Sequence, residues 1–182
     1  MHWQLATTAG SSSCKTWCVT YAEAQAYAQR KGRSLPSEAQ WEWAARAAQP
    51  NAPPEHEQPK DANTWQGLFP VANSGEDGFI GLAPVGCYAP DALGLFDMIG
   101  IVWELTTDAY AQSHVAQGPV APDQVPVDLR PQPGTRRVIK GGSFLCAPNY
   151  CMRYRAGSRQ PQEEDLGASH LGLRTVLAAP GP

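Results

Sequence analysis

No apolar run in this sequence approaches the roughly 20 residues that a bilayer-spanning helix needs, because Gly, Asp or Pro interrupts every such stretch. Met1, His2, Trp3 and Gln4 present no basic segment leading into an apolar one, so no signal peptide is recognisable. A soluble, cytoplasmic chain without a membrane partner is expected. A surplus of positive charge is also lacking. The formal net charge is −3 and the fourteen Lys and Arg are scattered rather than gathered in a stripe, which argues against nucleic acid as a partner. Five cysteines, at positions 14, 18, 87, 146 and 151, are an odd number, so a monomer cannot pair them all and at least one thiol stays free.

What is abundant is punctuation. Seventeen Pro, seventeen Gly and six Trp in 182 residues are more than a helical bundle tolerates, and predict one loop-rich α+β domain with little regular structure. Two helices are expected. Thr20 with Glu23 three residues on makes a capping box ahead of Ala22 to Arg30, which Gly32 stops. Ser37, preceded by Pro36, caps Glu38 to Arg46. Trp41, Trp43, Trp65 and Trp103 read as core anchors. The segments from Gln49 to Asp61 and from Val115 to Gly134 are Pro-rich polar loops, and Ala83 to Val85, Leu93 to Phe96 and Arg137 to Lys140 read as brief strands or bends.

The run from Lys140 to Arg155 is the most informative. Gly141 and Gly142 permit a bulge or close backbone approach, Ser143 follows, and four residues separate Cys146 from Cys151. That spacing allows a disulfide or two thiolates around a soft ion, and both remain open on spacing alone. Cys14, Cys18 and Cys87 have no partner pattern and read as structural or incidental.

The strings GGSFLC, YCMRYRAGSRQ and ASHLGLR resemble the C-terminal part of the formylglycine-generating enzymes, the oxidases that modify sulfatases. VTYAEAQAYAQRKGRSLPSEAQWEWAAR resembles that family's helical segment, ANTWQGLFPVANSGEDGF its first calcium loop and APDALGLFDMIGIVWELTTDAY its second. The resemblance runs in order from Trp17 to Val176. It implies the family's variant of the C-type lectin fold. It further implies copper(I) on Cys146 and Cys151, a third thiolate from a substrate cysteine, dioxygen at the metal, and oxidation of the substrate β-carbon to an aldehyde. Ser143 would support the oxidation, or act as a turn residue. Tyr150, Arg155 and His170 would contact the substrate, an unfolded sulfatase peptide containing Cys-x-Pro-x-Arg. Calcium would be held at one site by Asn63 and Asp77 with the carbonyls of Thr64 and Phe79, and at a second by Asp97 and Glu104 with the carbonyls of Gly100 and Val102. A monomer is expected.

The sequence also departs from the family. Its N-terminal third has no counterpart here, which implies a fragment or a reduced member and an exposed strand edge. Ile101 stands where the family motif has Asn, Leu105 where it has Trp, and His170 where it has an active-site Asn. Two rivals follow: a non-catalytic display module on the same scaffold, and the related iron enzymes, which four scattered histidines disfavour.

Overall fold

The computed structural model describes residues 3–4, 18–48, 57–111 and 135–177. Cys14, residues 49–56 of the first Pro-rich loop and the whole of the second, 115–134, lie outside the described residues. A two-residue strand, β1 (Trp3–Gln4), is followed by helices α1 (Tyr21–Arg30) and α2 (Glu38–Ala48). Five further strands are β2 (Trp103–Ala109), β3 (Arg136–Lys140), β4 (Gln160–Glu163), β5 (Leu171–Gly172) and β6 (Thr175–Val176). Among the described residues no helix is long and apolar enough to cross a membrane.

Both helices start where their caps dictate. The Thr20 amide donates to Glu23 Oε2 at 2.9 Å and the Glu23 amide returns a bond to Thr20 Oγ1 at 3.3 Å. Ser37 and Gln40 form the same reciprocal pair at the start of α2, at 2.9 and 3.1 Å, a second capping box with Gln in place of Glu. Gly32, at φ 66°, takes the chain out of α1.

The main sheet has strand order β4-β3-β2-β5. β2 and β3 run antiparallel with Glu104 opposite Lys140, β3 and β4 pair Ile139 with Gln160, and β5 lies parallel to β2 with Leu171 beside Trp103. β1 and β6 form a separate antiparallel pair. The core gathers Trp41, Ala44 and Ala45 of α2, Trp103 and Leu105 of β2, Ile139, Cys146 and Tyr154.

Trp41 is fully buried and its indole N–H reaches Glu104 Oε2 at 2.6 Å. Trp43, expected in the core, is instead 58% exposed: two residues along a helix is about 200° of rotation, so both cannot face the sheet. Trp65 is half-buried and Trp103 buried, while Cys18 is an exposed free thiol. Beneath the sheet Lys140, wholly buried, sits 3.1 Å from Glu42 and 3.7 Å from Glu38, which also meets Arg159 at 2.9 Å.

Candidate metal and substrate site

The register brings four strand ends to one end of the sheet. Lys140 closes β3 opposite the start of β2, Gln160 opens β4 across from Ile139, and His170 immediately precedes β5 beside Trp103. The chain leaving β3 therefore turns into the space where Trp103, Gln160 and His170 converge. Gly141, at φ 95°, is obligatory for that turn, since a Cβ there would lie 3.0 Å from the Met98 carbonyl oxygen and 3.1 Å from the Trp41 ring.

The cysteine loop is then closed by its own backbone. The Cys146 amide donates to the Ser143 carbonyl at 2.9 Å, and Ala147 and Tyr150 exchange amide bonds at 2.7 and 3.0 Å. This folds Cys151 back over Cys146, with Cys151 at φ 58° in the left-handed region that a side chain rarely adopts. The two sulfurs are 3.0 Å apart and both are free thiols. The disulfide alternative, which needs about 2.05 Å, is not the state present here.

A hydrogen bond joins the two sulfurs. The Cys146 S–H donates to Cys151, and this bond, aided by the Arg153 charge and opposed by burial, brings the Cys151 thiol down to about 7. Cys146 moves the opposite way, pushed up by that same bond and then by its burial. The Ser143 amide lies 3.4 Å from the Cys146 sulfur, and its hydroxyl accepts from the Leu145 amide at 3.3 Å. Ser143 is thus both a turn residue and a neighbour of the buried sulfur.

A cleft of about 490 Å³ opens above the pair, and Ser143, Cys146, Tyr150, Cys151 and His170 all line it. Arg155, expected to contact substrate, does not reach the lining; Arg153 does. Arg153 donates to Gln160 Oε1 at 2.8 Å, and that oxygen is 4.0 Å from the Cys151 sulfur. Opposite them Phe69 stacks on Tyr150 at 4.4 Å and 7°, with Trp65 edge-on to Phe69 at 5.0 Å. Phe69 is clasped by Asn149 through two bonds of 3.1 and 2.9 Å. His170 is half-buried, and burial lowers its pKa from 6.5, which keeps the imidazole neutral at neutral pH.

The donor set fits a soft ion: two sulfurs, one ionised near neutrality, under a cleft with room for a further ligand. Among the described residues no group of three or more His, Cys, Asp or Glu is placed to share an ion.

The two oxygen-rich loops differ. In the first, Asn63 turns its Nδ2 to Asp77 Oδ2 at 3.0 Å and to the Gly81 carbonyl at 3.1 Å, while its Oδ1 accepts from the Ala83 amide at 3.0 Å. The Thr64 and Phe79 amides, both at 3.0 Å, complete the donors to Asp77. Asn63, Thr64, Asp77 and Phe79 are thus brought together, with the Asn63 amide and the Asp77 carboxylate bonded directly to each other. The second loop keeps an oxygen in reserve. Asp97 Oδ2 accepts from the Gly86 amide at 2.6 Å, but Asp97 Oδ1 is buried without a partner among the described residues. Burial, with Glu104 nearby, pushes the Asp97 carboxyl up, the signature of a carboxylate short of positive charge. Glu104 itself is gripped by Arg174, whose guanidinium also donates to the Phe96 and Asp97 carbonyls at 3.2 Å. This second set fits a cation.

The Gly100 amide donates to the Gly141 carbonyl at 2.9 Å and the Phe144 amide to the Ile101 carbonyl at 3.0 Å. The second loop is thereby tied to the turn that carries the cysteines.

The sulfatase-modifying factor enzyme 1-like domain model matches residues 6–179. The formylglycine-generating enzyme of Mycobacterium tuberculosis is 44% identical over 165 residues, covering 87% of this chain and 55% of that protein. A Mus musculus relative named inactive C-alpha-formylglycine-generating enzyme 2 is 32% identical over 90% of this chain and 49% of its own length. The chain spans about half the length of the curated relatives it matches. Among solved structures, PvdO from Pseudomonas aeruginosa superposes with a TM-score of 0.63 at 23% identity, covering 87% of this chain and 60% of that one, a likeness of fold. Sparse strands, two helices and long loops are those of the formylglycine-generating-enzyme variant of the C-type lectin fold, and with the family model matched from residue 6 to residue 179 the chain belongs to the sulfatase-modifying factor enzyme 1-like family.

Proposed function

We propose that this chain carries the oxidising centre of a formylglycine-generating enzyme: Cys146 and Cys151 hold copper(I), and the cleft admits a cysteine of an extended, unfolded sulfatase segment for conversion to the aldehyde. The observation that carries this reading is the pair of free sulfurs 3.0 Å apart beneath an open cleft. Copper, when bound, supplies the one-electron redox chemistry that oxygen-dependent oxidation requires and that zinc lacks.

The chain's own residues prepare the site. Cys151, its thiol brought down to about 7, offers a thiolate near neutral pH, and Cys146 would give up its proton when both sulfurs serve as ligands. The Ser143 amide steadies the Cys146 sulfur, and its hydroxyl accepts from the Leu145 amide beside the cleft. Phe69 and Tyr150 form an apolar shelf on which a segment flanking the substrate cysteine would lie, limiting water at the reacting carbon. Neutral His170 and the Arg153–Gln160 pair supply polar contacts around the entrance. Asp97 and Glu104, with the carbonyls of Gly100 and Val102, would hold calcium and so brace the cysteine turn from behind.

The test uses purified protein loaded with copper, dioxygen, a thiol reductant and a peptide containing Cys-x-Pro-x-Arg. Mass spectrometry should show aldehyde formation that disappears in Cys151→Ser. No aldehyde from soluble, copper-loaded protein would defeat the catalytic reading. Similarity to relatives named inactive favours a second one, a non-catalytic module on the same fold. Tight copper(I) binding that depends on both cysteines separates the two, since a display module has no use for it.

A further inference from the structure

The cleft above the cysteines is unevenly charged. No Asp or Glu is among the described residues that line it, and His170 stays neutral at neutral pH, so Arg153 is the lasting positive charge on its wall. Arg153 is exposed and pairs with no carboxylate among the described residues; its side chain bonds to Gln160 Oε1 at 2.8 Å. That bond orients both partners. A guanidinium can only donate, so the carboxamide must turn its oxygen to it, and the Nε2 hydrogens of Gln160 are left without an acceptor among the described residues. Gln160 is itself anchored at the start of β4 by its pairing with Ile139. Two neighbouring donor groups, one charged and neither saturated, therefore stand on one wall of the cleft, each restraining the other. The Gln160 oxygen is 4.0 Å from the Cys151 sulfur, and the two distances together keep the guanidinium nitrogen within about 7 Å of that sulfur.

We infer that Arg153 and Gln160 form an acid-recognising subsite: together they bind the carboxylate of an acidic side chain that lies within two residues of the target cysteine in the incoming peptide. The inference rests on the peptide-substrate reading proposed above and adds a specificity to it. A carboxylate offers two acceptor oxygens, which suit one edge of a guanidinium or a guanidinium N–H beside an amide N–H. A neutral side chain lacks the charge that strengthens these bonds, and a basic one meets repulsion. Chain geometry sets the reach. An extended peptide advances about 3.3 Å per residue, so with its sulfur seated beside Cys151, a guanidinium about 7 Å away meets the side chain one or two positions along. In Cys-x-Pro-x-Arg the free positions at that range are the two residues before the cysteine and the one after it.

The experiment measures, by fluorescence anisotropy, the binding of labelled peptides to the reduced, metal-free protein. Each peptide carries Ser in place of the reactive cysteine, so that no turnover occurs, and Asp or Asn is placed at each of the three positions in turn. At one position at least, the Asp peptide should bind about five-fold or more tighter than its Asn counterpart, and the gap should shrink as salt rises. The Arg153 charge also acts on the Cys151 thiol, so each variant is judged by the ratio of the two affinities within one protein. Arg153→Gln should bring the two affinities together. Gln160→Glu, which gives the guanidinium a carboxylate of its own, should do the same. If the wild type binds Asp and Asn peptides equally at all three positions, or if either variant keeps the preference, the subsite falls and the peptide reading stands. If the wild type binds none of the peptides, the inference and the peptide reading fall together.

Discussion

Three side chains near the site occupy left-handed backbone: Asp97 at φ 54°, Ile101 at 55° and Cys151 at 58°. Such conformations cost on the order of 1–3 kcal/mol each for residues with a Cβ, and persist only where the surroundings impose them. At Cys151 the imposing contacts are the paired amides of Ala147 and Tyr150, and the return is a sulfur held against Cys146. The hydrogen bond between the two sulfurs has a measurable consequence. In the reduced, metal-free protein Cys151, though half-buried, should be alkylated by iodoacetamide with a midpoint near pH 7, ahead of Cys87, whose thiol is pushed up by partial desolvation and the Asp97 charge. Cys146→Ala removes the S–H donor and should move the Cys151 midpoint upward, as read by mass spectrometry of labelled peptides across pH. An unchanged midpoint would mean that the Cys146 S–H does not donate to Cys151.

His170 gives a second prediction at this scale. Its folded-state pKa is lowered below 6.5 by burial, so the unfolded chain takes up a proton at higher pH than the native state does. The stability this neutral imidazole preserves is therefore present above pH 6.5 and is lost as pH falls through the depressed folded value. His170→Asn, which cannot titrate, should lose less stability than the wild type between pH about 7 and about 5 in urea denaturation. Parallel pH curves for the two proteins would contradict it.

Among the elements, the helices were legible because their signals are local: Thr20, Glu23 and Gly32, then Pro36 and Ser37, lie within a turn of the ends they define. Thr20→Ala should cost about 1 kcal/mol of unfolding free energy, measured by thermal or urea denaturation, since it deletes the Thr20 Oγ1 that accepts from the Glu23 amide. The strands were harder to read. β2 begins with four buried residues, Trp103 to Thr106, including a buried Glu104, so it has no alternation and passed for loop. β4 is Gln160, Pro161, Gln162 and Glu163, a polar edge strand in which Pro161 is tolerable only because one side of the ladder is free. The cysteine pair and Ser143 were visible in one short run of sequence. Phe69 and Gln160 were not, because the stack on Tyr150 spans some 80 positions and the Gln160 contact depends on β3–β4 register. Arg153 was passed over for Arg155: in an extended segment the two would share a side, but the chain bends at Arg155, and only Arg153 lines the cleft.

At the scale of the molecule, two buried ionic clusters flank Trp41 and lock α2 to the sheet. In one, Lys140 and Arg159 balance Glu38 and Glu42. The cluster of Asp97, Glu104 and Arg174 is not balanced: two carboxylates face one guanidinium, and Asp97 Oδ1 has no donor among the described residues. A loop-rich fold with few strands has little redundancy, so a divalent cation here would act as a staple across residues 97–104 and, through the Gly100 and Phe144 amides, on the cysteine turn. Calcium should therefore raise the thermal midpoint, by an amount equivalent to about 2.7 kcal/mol once free calcium reaches about 100 times its dissociation constant. Asp97→Asn keeps an acceptor for the Gly86 amide but removes the charge. Without calcium this variant should be as stable as the wild type or more so, and with calcium it should be the less stable of the two, so that the two denaturation curves exchange order on adding the ion. Calcium stabilising both proteins equally would place the ion elsewhere and leave the orphaned oxygen of Asp97 as a cost that the fold carries uncompensated.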